Sequence, residues 1–224
     1  MHHLFIDLET FSDIDIGKAG LYKYAQSPAF QVLLFGYSLD GAPVQVVDLT
    51  QPGAYLPQEV LRWLFDRDCI KHAYNAAFEW YCLSRHFKLA EDEQHNSFSA
   101  ITWLPQWRCS MLRGMYAGYP AGLDATGRAL GLPEDKQKLA AGRALIRYFC
   151  VLCSPTKNNG GRTRNLPQHE PERWELFKTY NGQDVVAEME IDRRLARVVV
   201  PETVQRQWEL DQLINLEKYA DDAT

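Results

Sequence analysis

Three groups of side chains have types and spacing suited to chemistry. The first is Phe5-Ile6-Asp7-Leu8-Glu9-Thr10. In a strand, residues two apart project from one face, so Asp7 and Glu9 present two carboxylates together at a buried strand's end. Such a pair repels itself unless a cation lies between, and an all-oxygen site suits a hard ion such as Mg²⁺ or Mn²⁺. A strand that simply ends at a solvated edge accounts for the same pair. The second group is Asn75-Ala76-Ala77-Phe78-Glu79. It places Glu79 in a helix's first turn, where the dipole favours an acid and Asn75 is a good N-cap; that alone requires no chemistry. The third is Tyr180-Asn181-Gly182-Gln183-Asp184. Tyr180 and Asp184 are four apart and share a helix face, so hydroxyl and carboxylate can hold a water between them. A core Tyr beside a surface Asp gives the same pattern. Gly182 inside a helix costs ~1 kcal/mol and points to a kink or a close approach.

The elements that must position these groups follow from the periodicity. Leu4 to Ile6 predicts a buried strand running into Asp7. Gln31–Leu39, Asp40-Gly41 and Val44–Val47 predict a hairpin. Residues 57–66 read as a helix, 69–74 as a strand and 75–87 as a helix opening on Glu79. A short strand over 107–109 precedes a helix over 110–117. Helices are expected over 123–130, stopped by Gly131, over 138–149, and from Pro171 to the Arg193–Arg197 cluster. A last helix runs from Glu202 to about Lys218, and 154–167 is a Gly- and Pro-rich loop. Strands with interposed helices, then helices alone, predict an α/β chain: a mixed central β-sheet flanked by helices with a largely helical C-terminal half.

Composition narrows the class. With 224 residues, 46% hydrophobic and 24% charged, the chain has the make-up of an ordinary globular protein of one domain or little more. The net charge of −5 excludes a protein-wide basic footprint for nucleic acid. Yet residues 136–169 hold seven Lys/Arg and no Asp or Glu, which leaves −12 on the rest. That basic segment is either a solvated polar stretch or a local anion-binding face. The five cysteines, the lack of a secretory leader and the absence of any apolar stretch near 18–20 residues predict a cytoplasmic protein with reduced thiols and no membrane contact. Cys150-Val-Leu-Cys153 is a lone pair without the second pair that zinc requires, and reads as a helix end with its exit loop.

Taken in order, Asp-x-Glu, Asn-x-x-Phe-acid and Tyr-x-x-x-Asp resemble the signature of the DEDD-type 3′–5′ exonucleases, in the branch with Tyr in the third motif. Thr179 excludes the His variant at that place. The blocks 4–12, 107–111, 145–150, 155–157, 161–167 and 210–215 extend the resemblance, over nearly the whole chain, to the proofreading domains of bacteriophage-type family A DNA polymerases. The resemblance implies a ribonuclease H-like fold over 1–200, with 201–224 beginning the approach to a polymerase region. It implies that Asp7, Glu9, Glu79 and Asp184 hold two Mg²⁺ or Mn²⁺ ions, that Tyr180 orients the attacking water, and that a single-stranded DNA 3′ end is the substrate. It also implies a polymerase domain or replication protein as partner. The superfamily's second motif usually carries Asp; here the longer Glu79 reaches an ion through a water. Leu8, Thr10, Asn75 and Phe78 are the expected contacts to terminal nucleotides, although Phe78 also suits core packing and Asn75 a cap. Lys157, Arg162 and Arg164 are the expected phosphate contacts on a mobile loop. A related exoribonuclease, or a silent module that binds primer ends or a polymerase, remains an alternative.

Overall fold

The computed structural model describes residues 1–89, 98–134 and 141–220. Lys136, Lys138 and the start of the helix expected from 138 lie outside the described residues. A five-stranded sheet is the frame. Its strands are β1 (His2–Phe11), β2 (Gln31–Leu39), β3 (Gln45–Asp48), β4 (Cys69–Ala73) and β5 (Trp107–Cys109), in the order β3-β2-β1-β4-β5. β2 runs antiparallel to β1 and β3, whereas β1, β4 and β5 run parallel. β1 is therefore central, and its C-terminal end points the same way as those of β4 and β5. This is a mixed sheet flanked by helices, as the sequence predicts, and it is consistent with a ribonuclease H-like fold.

Nine helices are described: α1 (Ile16–Gln26), α2 (Gln58–Phe65), α3 (Ala76–His86), α4 (Ala100–Trp103), α5 (Ser110–Tyr116), α6 (Leu123–Ala129), α7 (Gly142–Phe149), α8 (Pro171–Arg194) and α9 (Glu202–Ala220). α1 and the single turn of α4 have no counterpart in the sequence reading. α1 contains Gly20 at φ +81°, which breaks its periodicity, and α4 is too short to show any.

The sheet's two faces carry different cores. Leu4, Ile6 and Leu8 of β1 enter the larger one with α3, Trp80, Trp103 and Trp107. Phe11 enters a second core with Leu145 and Phe149 of α7 and Trp174, Phe177 and Tyr180 of α8. α9 folds back on the first core: Leu216 is buried there, Tyr22 Oη donates to Gln212 O at 3.1 Å, and Gln205 Nε2 donates to Trp107 O at 3.1 Å.

Two buried bases stiffen the β4 side. Lys71 is fully buried, and its Nζ donates to Asp66 O, Cys69 O and Gln106 Oε1 at 2.6–2.8 Å. Loss of solvation lowers its pKa to about 8. His72 stacks on Phe5, and its Nε2 lies 2.9 Å from His3 Nδ1. Burial, with the neighbouring His3 charge second, lowers its pKa to about 3. The unfolded chain takes up this proton near the ordinary value of 6.5, so the unfolded state binds more protons between pH 6.5 and 3. His72 therefore supports stability fully above that window and progressively less as pH falls through it. Urea unfolding from pH 7 to pH 4 should show a shallower loss of stability for His72→Phe than for the wild-type protein. Parallel curves would refute this.

Candidate functional site

The three sequence groups converge at the C-terminal end of β1. Because β1 alternates, Leu8 faces the first core while Asp7 and Glu9 turn to the α8 side, in line with Phe11. The β1–β2 register slips between Glu9 and Thr10, leaving Leu33 as an extra residue on β2. A bulge of this kind bends the pairing and re-aims side chains. α8 then brings Tyr180 and Asp184 across the same face. Asp7, Glu9 and Asp184 each offer an oxygen within 4.8 Å of the others. Glu79, in the first turn of α3, stands outside that trio but lines the same cavity, which has a volume of about 790 Å³. Tyr180 lines it too, as do Leu8, Thr10, Asn75 and Phe78. Six described acids line the cavity against one base, Arg147, so its field favours cations.

The supports of each side chain explain the geometry. Asn181 is completely buried, and its Nδ2 donates to Asp7 Oδ2 at 2.7 Å and to Asp7 O at 3.1 Å. It fits because β2 has Gly36 there: a Cβ would lie 2.6 Å from Asn181 Oδ1. Glu79 accepts the N–H groups of Leu8 and of its own residue, which ties α3 to β1. Burial, and then the Asp7 charge, raise its pKa well above the carboxylate range. Cys150 closes α7, and its thiol donates to Glu9 Oε2 at 3.9 Å. Tyr180 hydrogen-bonds Asp184, and burial and that charge raise its pKa far above the usual phenol value. Its ring packs flat against Phe177 and abuts Gly142, where a Cβ would come within 2.0 Å of it.

Other expected residues are placed differently. Asn75 holds the N-cap position of α3, but its side chain makes no cap hydrogen bond; it is exposed on the cavity wall, which corrects the capping expectation. Phe78 is half-buried against the first core and also lines the cavity. The Thr10 hydroxyl lies 2.8 Å from Tyr24 Oη. Gly182 produces no kink; it is a close approach to Val46 and Val44. Lys157, Arg162 and Arg164 do not line the cavity. Arg164 stacks 3.6 Å over Phe11 and donates to Gln31 Oε1 at 2.8 Å. Arg162 donates to Asn165 Oδ1 at 2.8 Å and to Asn159 O at 3.1 Å. Lys157 is exposed. Asn181, Cys150, Gly142 and Arg147 are site features that the sequence reading missed. Of these, Asn181 had a visible signal: an amide one residue after Tyr180, inside a helix whose neighbours are buried.

No protein-family model matches the sequence. The chain is similar to a protein named DNA polymerase from Bacillus phage SP02. The two are 47% identical over 216 residues, which is 96% of this chain and 31% of the phage protein. This chain thus spans less than a third of its relative's length. No described helix is long and apolar enough to cross a membrane.

The closeness of Gly142 to the Tyr180 ring gives a direct test. Gly142→Ala must displace the ring or α7, and overpacking of this kind costs about 1–3 kcal/mol. Urea denaturation should show that loss. Unchanged stability would mean that the ring moves aside without cost.

Proposed function

We propose that this chain is a two-metal-ion 3′–5′ exonuclease. It removes nucleoside 5′-monophosphates from the 3′ end of single-stranded DNA, as the proofreading module of a phage-type DNA polymerase or as a stand-alone relative. The observation that carries the reading is the trio Asp7, Glu9 and Asp184 within 4.8 Å, in a cavity shared with Glu79 and Tyr180. The donors are all oxygen, so the set fits Mg²⁺ or Mn²⁺. Asp7, Glu9 and Asp184 would hold the ions directly, with Glu79 in support; when bound, the ions would supply an activated water near neutral pH and neutralise charge on the leaving oxygen.

The protein's own groups do the rest. Asn181 fixes Asp7 through two hydrogen bonds, one to its carboxylate and one to its backbone carbonyl. Tyr180 keeps its proton in the hydrogen bond to Asp184, so its hydroxyl oxygen would accept from and orient the attacking water and not act as the base. Glu9 flanks that water on the other side. Attack at the terminal phosphorus breaks the bond to the 3′ oxygen, which leaves as the hydroxyl of the shortened strand. Phe78, Leu8 and Thr10 line the cavity wall against which terminal nucleotides would pack, and Asn75 offers an exposed polar contact. Lys157, Arg162 and Arg164 stand apart from the cavity as contacts for upstream phosphates. Residues 1–200 carry the nuclease, and 201–224 lead toward a polymerase domain or replication protein, in the cytoplasm of a phage-infected or bacterial cell.

The test is digestion of a 5′-labelled single-stranded DNA with Mg²⁺ or Mn²⁺, beside a matched RNA. The expected result is a ladder shortening from the 3′ end, abolished by EDTA and by Asp7→Ala. Tyr180→Phe should lose activity by roughly 10²-fold, the cost of a misplaced nucleophile. Cleavage of RNA alone would reassign the substrate. No cleavage of either by folded protein would leave a silent binding module.

A further inference from the structure

Arg147 has no task in the site as described. It lies in the last turn of α7, is exposed, and lines the cavity beside six acids. The chain holds 29 Asp and Glu, yet Arg147 forms no ion pair or hydrogen bond among the described residues. A cation in a last turn suits the helix dipole, which alone would account for Arg147. Arg143 does not fit that account. It is exposed in the first turn of the same helix, where the dipole disfavours a cation, and it too has no partner among the described residues. The two arginines are four residues apart, so they share a face and repel each other. An anion lying over the pair relieves both costs.

Cys150 fixes where that face looks. Arg143, Ile146, Arg147 and Cys150 follow helical spacing, and the last three line the cavity. The Cys150 thiol donates to Glu9 Oε2 at 3.9 Å, so this end of α7 meets the acidic trio. Arg147 is three residues back, about 4.5 Å along the axis, and Arg143 a further four, about 6 Å. Helical side chains lean toward the helix N-terminus, so Arg147 leans away from Glu9 and toward Arg143. Its donors stay open at the cavity's rim. Arg162 and Arg164, by contrast, are engaged by Asn165, Asn159, Gln31 and the Phe11 ring.

We propose that Arg147 is a substrate-binding residue that holds the phosphate on the 5′ side of the scissile one, with Arg143 over the next. The bound strand runs from its 3′ end at Asp7, Glu9 and Asp184 toward the N-terminal end of α7. A guanidinium can donate two parallel N–H bonds to one phosphate, and such a contact fixes register without reading a base. The inference rests on the nuclease reading above and adds to it the direction of the strand and the groups that hold it.

The experiment measures binding of a 5′-fluorescent oligothymidylate to the full chain by fluorescence anisotropy, with Mg²⁺ and over a range of salt. The last linkage of the probe carries CH₂ in place of the 3′ oxygen, which keeps its charge and prevents cleavage. Arg147→Gln should weaken binding by about 10-fold, the scale of one charge-assisted contact. It should also flatten the slope of log affinity against log salt by about 0.7, the share of one phosphate contact on a single strand. Arg147→Lys keeps the charge and should restore that slope. A neutral methylphosphonate at the second linkage from the 3′ end should cost the wild-type protein about as much as Arg147→Gln does, and cost the variant nothing more. Placed four linkages further, it should cost both proteins equally. Unchanged affinity and slope in Arg147→Gln, or a full methylphosphonate penalty in that variant, would overturn the proposal. So would a lower melting temperature with an unchanged slope, which would leave Arg147 as a helix-end cation only. Failure of this step appears in the variants alone. A wild-type protein that neither binds the probe nor cleaves the all-phosphate strand would overturn the nuclease reading, and this step with it.

Discussion

Mutual repulsion among buried carboxylates is the constraint around which this chain is organised. Asp7, Glu9 and Asp184 crowd within 4.8 Å, and Glu79 and Glu188 are buried nearby with raised pKa values. Acids in a low-dielectric interior are costly unless hydrogen bonds or counter-charges compensate. The compensation visible here is mostly hydrogen bonding from neutral donors: the Asn181 amide to Asp7, backbone N–H groups to Glu79, the Ser110 hydroxyl to Glu188 and the Cys150 thiol to Glu9. These four donors fix geometry without themselves neutralising charge.

That demand explains the choice of scaffold. β1 is the middle strand, paired with β4 over His2–Phe5 and with β2 over Leu4–Phe11, so the acids stand where β1 has run past β4 and β2 alone pairs with it. α8 must come close enough for Asp184 to join them, and small residues allow it. Gly36 admits the Asn181 amide, Gly182 lies against β3, and Gly142 lets α7 meet the Tyr180 ring. Each contact shortens the distance between layers at the point where the site is built. A side chain at Gly36 or Gly182 would push α8 away from the sheet, and one at Gly142 would displace α7 or the Tyr180 ring.

What the sequence disclosed follows from how local each feature is. Period-two alternation around Asp7 and Glu9, the turn at Asp40-Gly41 and the Pro171 start of α8 each depend on a few adjacent residues, and the observed elements match. The four acids and Tyr180 were visible because their spacing within each motif is itself local. The residues that hold them are not. Asn181 is 174 positions from Asp7 and Glu188 is 78 from Ser110, so nothing near them in the chain announces the contact. The loop cations are a second non-local case: the charge run shows Arg162 and Arg164 but not the ring, glutamine and two asparagines that engage them in the fold.

The charge map bears on how an anionic strand could approach an acidic cavity. Six acids against Arg147 would repel phosphate, so on the proposed reading cations must enter first and reverse the sign where the reaction occurs. The basic segment seen in the sequence supplies the complementary ground. α7 forms part of the cavity wall through Ile146, Arg147 and Cys150 and carries Arg143 on its exposed surface, and the loop beyond it exposes Lys157. Positive surface therefore borders the acidic floor on the α7 side. A strand lying along α7 would have its upstream phosphates over basic side chains and its terminal phosphate over the carboxylates. On the proposed reading the −5 net charge is compatible with a nucleic-acid substrate because the basic and acidic groups occupy different parts of the surface, and Cys150, within the basic segment, donates to Glu9.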